Sequence, residues 1–151
     1  MLTIGADLEW NKESIDVLGV AFDSGLRASA TGRTDQTMSE FLGLLRRADR
    51  IAMHNGLDAD CRQLAKEGID VSWLTPKVLD TRLCLHATHG HLAGTGSYDL
   101  RSMVLLLNGR QGYRFPLDFK QYVSDLHKTC AMDAAAALWV VPTLDRLIGA
   151  G

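Results

Sequence analysis

Seven residues near the start, "IGADLEW" (4–10), carry two carboxylates at the end of an apolar run. The opening from Met1 to Ala6 reads as a buried strand, and Asp7 and Glu9 follow it two positions apart. Residues i and i+2 of a strand point to one face, so the pair is held side by side. Burying two adjacent carboxylates costs free energy unless something positive sits between them. Three further aspartates stand in similar company. Asp60 lies in "HNGLDADCRQL" (54–64), where Leu64 follows one turn later as a core-facing residue. Asp133 is alone in "TCAMDAAAALW" (129–139), with alanine at 134 to 137 and little polar company. Asp80 in "VLDTR" follows two apolar residues. Carboxylates converging without a paired His or Cys suit a hard divalent cation, Mg²⁺ or Mn²⁺. Two such ions about 3.5–4 Å apart form a site that cleaves phosphodiesters by in-line displacement, one activating water and the other stabilising the leaving 3′-oxygen.

The elements that must position these residues follow from pattern. "SIDVLGVAFDSG" (14–25) is a second apolar run closed by a Gly-containing turn, and "LRASATGR" (26–33) returns as a third strand. Thr37 with Glu40 reads as a capping box before "FLGLLRRA", whose apolar positions 41, 42, 44 and 45 suit a helix. "RIAMH" (50–54) is a short buried strand, "DADCRQLAKEG" (58–68) a helix stopped by Gly68, and "LDTRLCLHATHG" (79–90) holds another helix. "HLAGTGS" (91–97) is a loop by composition, and "YDLRSMVLLLNG" (98–109) is an apolar helix ended by Gly109, its stripe at 103–107 core. From Tyr122 to Ile148 the chain is Ala- and Leu-rich and mostly helical, with Pro142 kinking it or opening a new helix. An antiparallel three-strand meander leading into α/β units predicts an α/β domain: a mixed sheet, antiparallel and then parallel, flanked by helices.

Bulk properties narrow the function classes. A chain of 151 residues with 46% hydrophobic content reads as one domain, 1–151, with a single core. Net charge is −2, which argues against coating nucleic acid through a broad basic field but leaves room for a small, deep site. No apolar run is long enough to span a bilayer and no signal pattern opens the chain, so no membrane partner is expected. Cys61, Cys84 and Cys130 are scattered without CxxC spacing, which points to neither a disulfide framework nor zinc and makes a reducing, cytoplasmic setting the expectation.

"DLE" on the first strand, "HNGLDAD…L" after the fourth, "LDT" and then "CAMDA" in a late helix stand in the order used by the DEDD superfamily of 3′–5′ exonucleases. Over roughly residues 3 to 140 the chain resembles the proofreading domains of family A DNA polymerases and their phage relatives, with "SYDLRSMVLLLNG" similar to the segment between their second and third motifs; ribonuclease D is more distant. Each motif alone is weak, and four in order are fairly specific. The resemblance implies an RNase H-like fold and two Mg²⁺ or Mn²⁺ ions held by Asp7, Glu9, Asp60 and Asp133. Asp7 would bridge both ions, Glu9 and Asp133 would complete the shell of the water-activating one, and Asp60 would act on the second, largely through water. Asp58 competes with Asp60, which is preferred because Leu64 follows it at the family's interval. Leu8, Trp10 and Asn55 would lie near the substrate, a single-stranded DNA 3′ end or RNA, and Asp80 would stand behind the ligands. A DNA polymerase or another replication protein is the implied partner.

One departure matters. The family carries a Tyr four residues, or a His five residues, before its last Asp, and here those positions hold Thr129 and Lys128. His127 misses both registers and joins the site only if the chain is non-helical there; Tyr122, on a preceding loop, is the weaker candidate base. General-base assistance is worth about 10²–10⁴-fold, so the expectation divides between a slow exonuclease and a decayed module that only binds nucleic acid or a replication protein. Blander readings stand beside the others. Asn and Asp in "HNGLDAD" also suit a turn and helix start. Trp10 reads as a packed core residue as readily as a stacking surface. His86, His89 and His91 read as a solvated loop, and Arg46, Arg47 and Arg50 as a solvated helix end.

Overall fold

The computed structural model describes residues 1–23, 27–88, 99–107, 115 and 125–148. The turn around Gly25, the loop 91–97, both ends of the 98–109 helix, His89, His91 and Tyr122 lie outside the described residues. A five-stranded mixed sheet runs in the order β3-β2-β1-β4-β5, with β1 Thr3–Trp10, β2 Ile15–Phe22, β3 Arg27–Gly32, β4 Arg50–Met53 and β5 Val78–Asp80. β1, β2 and β3 form the antiparallel meander, and β4 and β5 add to β1 in parallel. This α/β arrangement is compatible with an RNase H-like fold. β5 is the strand the sequence reading missed: only three residues long, it is too short to show a period of its own.

Helices α1 (Asp35–Arg47) and α2 (Asp60–Lys66) cover one face, and α3 (Thr81–Thr88), α4 (Leu100–Leu107), α5 (Leu126–Trp139) and α6 (Val141–Ile148) belong to the other side. The alternation of β1 divides its side chains between two cores. Ile4, Ala6 and Leu8 pack with Met38, Phe41, Leu45 and Leu64, while the opposite core is built from Met103, Val104, Leu107, Ala134 to Ala137 and Trp139. Gly5, Asp7 and Glu9 therefore share the α5 face. α5 lies almost on the backbone of the sheet. A Cβ on Gly19 would stand 2.8 Å from both the carbonyl oxygen and Sγ of Cys130, and one on Gly5 would collide with the Ala134 carbonyl. Glycine in the strands and alanine in the helix are what permit this approach.

Two local expectations change. α1 begins earlier than the Thr37/Glu40 reading placed it: Thr34 is the N-cap, its Oγ1 accepts from the Thr37 N–H, and Thr37 Oγ1 accepts from the Thr34 N–H. The reciprocal cap needs only a side-chain oxygen at the third helical position, which Thr37 supplies in place of Glu. Arg50 is no part of a solvated helix end but opens β4, where its guanidinium makes a bidentate pair with Asp145 of α6 at 2.9 Å. Arg46 lies over the Trp73 ring at 4.1 Å. Pro142 sits at the second residue of α6 and so opens a new helix. Among the described residues no helix is long and apolar enough to cross a membrane.

Candidate metal centre

The carboxyl ends of β1, β4 and β5 open on one side of the sheet, the place where open α/β sheets present their ligands. Three segments converge there. β1 brings Asp7 and Glu9 on one face. α5 runs across that face, its start capped by the Asp125 side chain accepting from the Lys128 N–H, and brings Asp133 down beside them. One carboxylate oxygen from each of Asp7, Glu9 and Asp133 lies within 4.8 Å of the others, a cluster that can hold a metal ion. Asp60, the first residue of α2, is the fourth. It lies outside that tight set but is buried, and the Leu8 backbone N–H faces its carboxylate and partly offsets the upward push of burial. That N–H is available because β1 pairs with β4 only as far as Gly5.

Electrostatics reports how crowded the site is. Burial pushes the Asp7 carboxyl well above its ordinary range, and the charges of Asp60, Asp133 and Glu9 push it further. Burial also raises Asp60 strongly, with the Glu9 charge next. Asp133 is raised to about 7, first by burial, then by the Glu9 charge and by a hydrogen bond with Glu9. Burial raises Glu9 as well, against hydrogen bonds to Asp7 and Asp133 that lower it. A proton retained on Asp133 to about 7 thus does, in the protein alone, what a cation would do: it neutralises part of the acidic cluster. Asp7 Oδ2 and Asp60 Oδ2 are both buried without a hydrogen-bond partner. Buried carboxylate oxygens left over in a site built of hard oxygen donors fit a hard divalent cation.

The chain matches no protein family, no curated protein and no solved structure.

The remaining sequence-based candidates divide. Asp58 is exposed and pairs with Arg62 at 3.1 Å, so Asp60 is the one that joins the cluster. Leu8 has its side chain 2% exposed on the opposite face of β1, so its backbone alone faces the site. Trp10 follows a register shift at the end of β1 and is 39% exposed, so the packed-core reading does not hold. Asn55 is half-buried at a positive φ of 60°, just past β4. Asp80 donates nothing to the cluster directly; its carboxylate binds backbone amides around it. His127 is corrected. It lies in the first turn of α5, so the non-helical condition for its joining the site is not met, and its exposed imidazole lies near Gly32. Thr129 stands one turn before Asp133 on the same helix.

Sequence reasoning passed over Cys130. Its Sγ donates to the Asp7 carbonyl at 3.3 Å, tying α5 to β1 beside the cluster. Burial, followed by the Asp7 and Glu9 charges, pushes this thiol far up and keeps it protonated. Gly5 and Gly19 were the available signal, since an isolated Gly in a strand marks a close approach of another backbone.

Proposed function

We propose that the chain is a divalent-metal-dependent 3′–5′ exonuclease of the DEDD type, hydrolysing phosphodiester bonds at a single-stranded DNA or RNA 3′ end and releasing nucleoside 5′-monophosphates. The observation that carries this reading is the convergence of four desolvated carboxylates from β1, α2 and α5, two of them with an unpartnered buried oxygen. Asp7, Glu9 and Asp133 would hold one Mg²⁺ or Mn²⁺, and Asp7 with Asp60 a second. Bound there, the ions supply Lewis-acid polarisation of the scissile phosphate and acidification of water. The chain's own residues do the rest. A cation held by Glu9 and Asp133 would compete with the proton that Asp133 keeps to about 7, which would make binding pH-dependent. Trp10 offers an exposed indole at the end of β1 for a terminal base to stack on. Asn55 stands at the mouth of the same side. Thr129 occupies the family's base position with a hydroxyl that cannot take a proton near neutral pH, so turnover is slow by the margin general-base catalysis normally supplies, about 10²–10⁴-fold.

The test is the product. With Mn²⁺, a linear oligonucleotide should yield mononucleotides identified by mass spectrometry as nucleoside 5′-monophosphates, and a circularised strand of the same sequence should stay intact. Cleavage of the circle would overturn the exonuclease reading. Thr129 also favours a second reading, a non-catalytic module that binds a nucleic-acid end or a replication protein such as a polymerase; retention of the strand with no product in either metal would select it.

A further inference from the structure

Asp80 makes more backbone contacts than any ligand candidate. Buried at the end of β5, its Oδ1 accepts from the N–H groups of Asn55 at 3.0 Å, Arg82 at 3.0 Å and Leu83 at 3.2 Å. Its Oδ2 accepts from the Leu57 N–H at 3.1 Å. Two of these donors open α3, where Asp80 acts as a cap. The other two belong to the 54–59 turn, which leads from β4 into α2. His54 Nδ1 also bonds Thr81 Oγ1 at 2.9 Å at the head of that turn, and the remaining bonds are short-range: the Asn55 carbonyl accepts from Ala59 N–H at 3.0 Å, and the Gly56 carbonyl from Cys61 N–H at 2.8 Å. α2 has no side-chain cap of its own, because its N-cap residue is Ala59. Yet α2 begins with Asp60. Asn55 sits at a φ of 60°, a conformation that costs free energy for a residue with a Cβ and needs outside support.

We infer that Asp80 is a positioning residue for Asp60: one carboxylate clamps the 54–59 turn onto the start of α3 and so sets where α2 presents the Asp60 carboxylate. The inference rests on the metal reading above and narrows it, because it concerns only the ion that Asp60 would hold. Charge-assisted bonds from a carboxylate to backbone N–H groups are about twice as strong as neutral ones, which suits a clamp on a short turn. The Asp7, Glu9 and Asp133 cluster hangs on β1 and α5 and does not depend on this turn.

The test is Mn²⁺ titration by electron paramagnetic resonance in wild type, Asp80→Asn and Asp80→Ser, with Asp60→Asn as the reference for losing the Asp60 ion. Asp80→Asn keeps Oδ1 and turns an NH₂ toward the Leu57 N–H. Asp80→Ser still caps α3 but is too short to reach the turn. Wild type should bind two ions. Both variants should weaken the ion missing from Asp60→Asn by about 10–100-fold, Ser more than Asn, and leave the other ion's affinity within about 2-fold. Equal weakening of both ions, or of neither, overturns the inference. Wild type binding no ion overturns the metal reading instead, and so the two failures are distinguishable. Hydrogen exchange in wild type needs no variant: the Asn55 and Leu57 amides should be protected on an exposed turn, and free exchange at both would remove the clamp.

Discussion

Replacing Asp133 by Asn should stabilise the metal-free protein by an amount that grows as pH rises from the ordinary carboxylate range to about 7. In the folded chain Asp133 holds its proton to about 7, whereas its ordinary value is 3.8. Its folded-state value is the higher one, so the folded state binds more protons between those limits and stability falls as pH rises through that window. Each pKa unit is 1.36 kcal/mol, which puts the full penalty at about 4 kcal/mol. Asp133 is only partly desolvated and its shift is coupled to the Glu9 charge, so a recovered fraction on the order of 2 kcal/mol is the working figure. For a chain of this size that corresponds to roughly 4–8 °C in melting temperature. The assay is thermal unfolding in a chelator at pH 4 and pH 8, wild type against Asp133→Asn. The two should melt close together at pH 4, near the ordinary carboxylate value, and the variant should melt higher at pH 8. A variant that is no more stable than wild type at pH 8 would refute the claim that the acidic cluster is strained without a cation.

Metal should act in the opposite sense. Mn²⁺ at about one hundred times its dissociation constant stabilises by about 2.7 kcal/mol, and the gain should be larger at pH 8 than at pH 5.5 because protons compete for the same oxygens; calorimetry at the two values checks it, and Asp7→Asn should lose most of the gain. Thr129→Tyr should raise turnover by about 10²-fold or more if a missing base limits the rate, and an unchanged rate in a folded variant removes that explanation. Gly19→Ala should destabilise by about 1–3 kcal/mol in urea unfolding, since its Cβ would meet Cys130 at 2.8 Å. Gly43→Ala, whose Cβ would meet nothing within 4 Å in mid-α1, should stabilise by about 0.5–1 kcal/mol.

The parts of this molecule that could be read from its sequence are those in which one local pattern decides the outcome. Asp7 and Glu9 share a face because strand side chains alternate, and Asp133 turns inward because the Ala134 to Ala137 run leaves α5 no polar side to expose there. Asp60 was preferred to Asp58 through Leu64, which is fully buried beneath α2. What escaped depends on contacts distant in sequence. The Asp80 clamp joins residues 23 and 25 positions apart, and the Cys130 bond to the Asp7 carbonyl spans 123. Proximity of Leu8 in sequence to two ligands says nothing about its side chain, which points through the sheet and leaves only the backbone facing the site. His127 went wrong because Asp125 caps α5 earlier than the register of a free imidazole would require.

The most direct test of the central claim is degradation of a 5′-labelled single-stranded DNA oligonucleotide in Mn²⁺, with EDTA and Asp7→Ala as controls. The account predicts a slow ladder shortening from the 3′ end in wild type, absent in both controls. No shortening of DNA or RNA in Mn²⁺ or Mg²⁺, or a ladder that survives in purified Asp7→Ala, would contradict it.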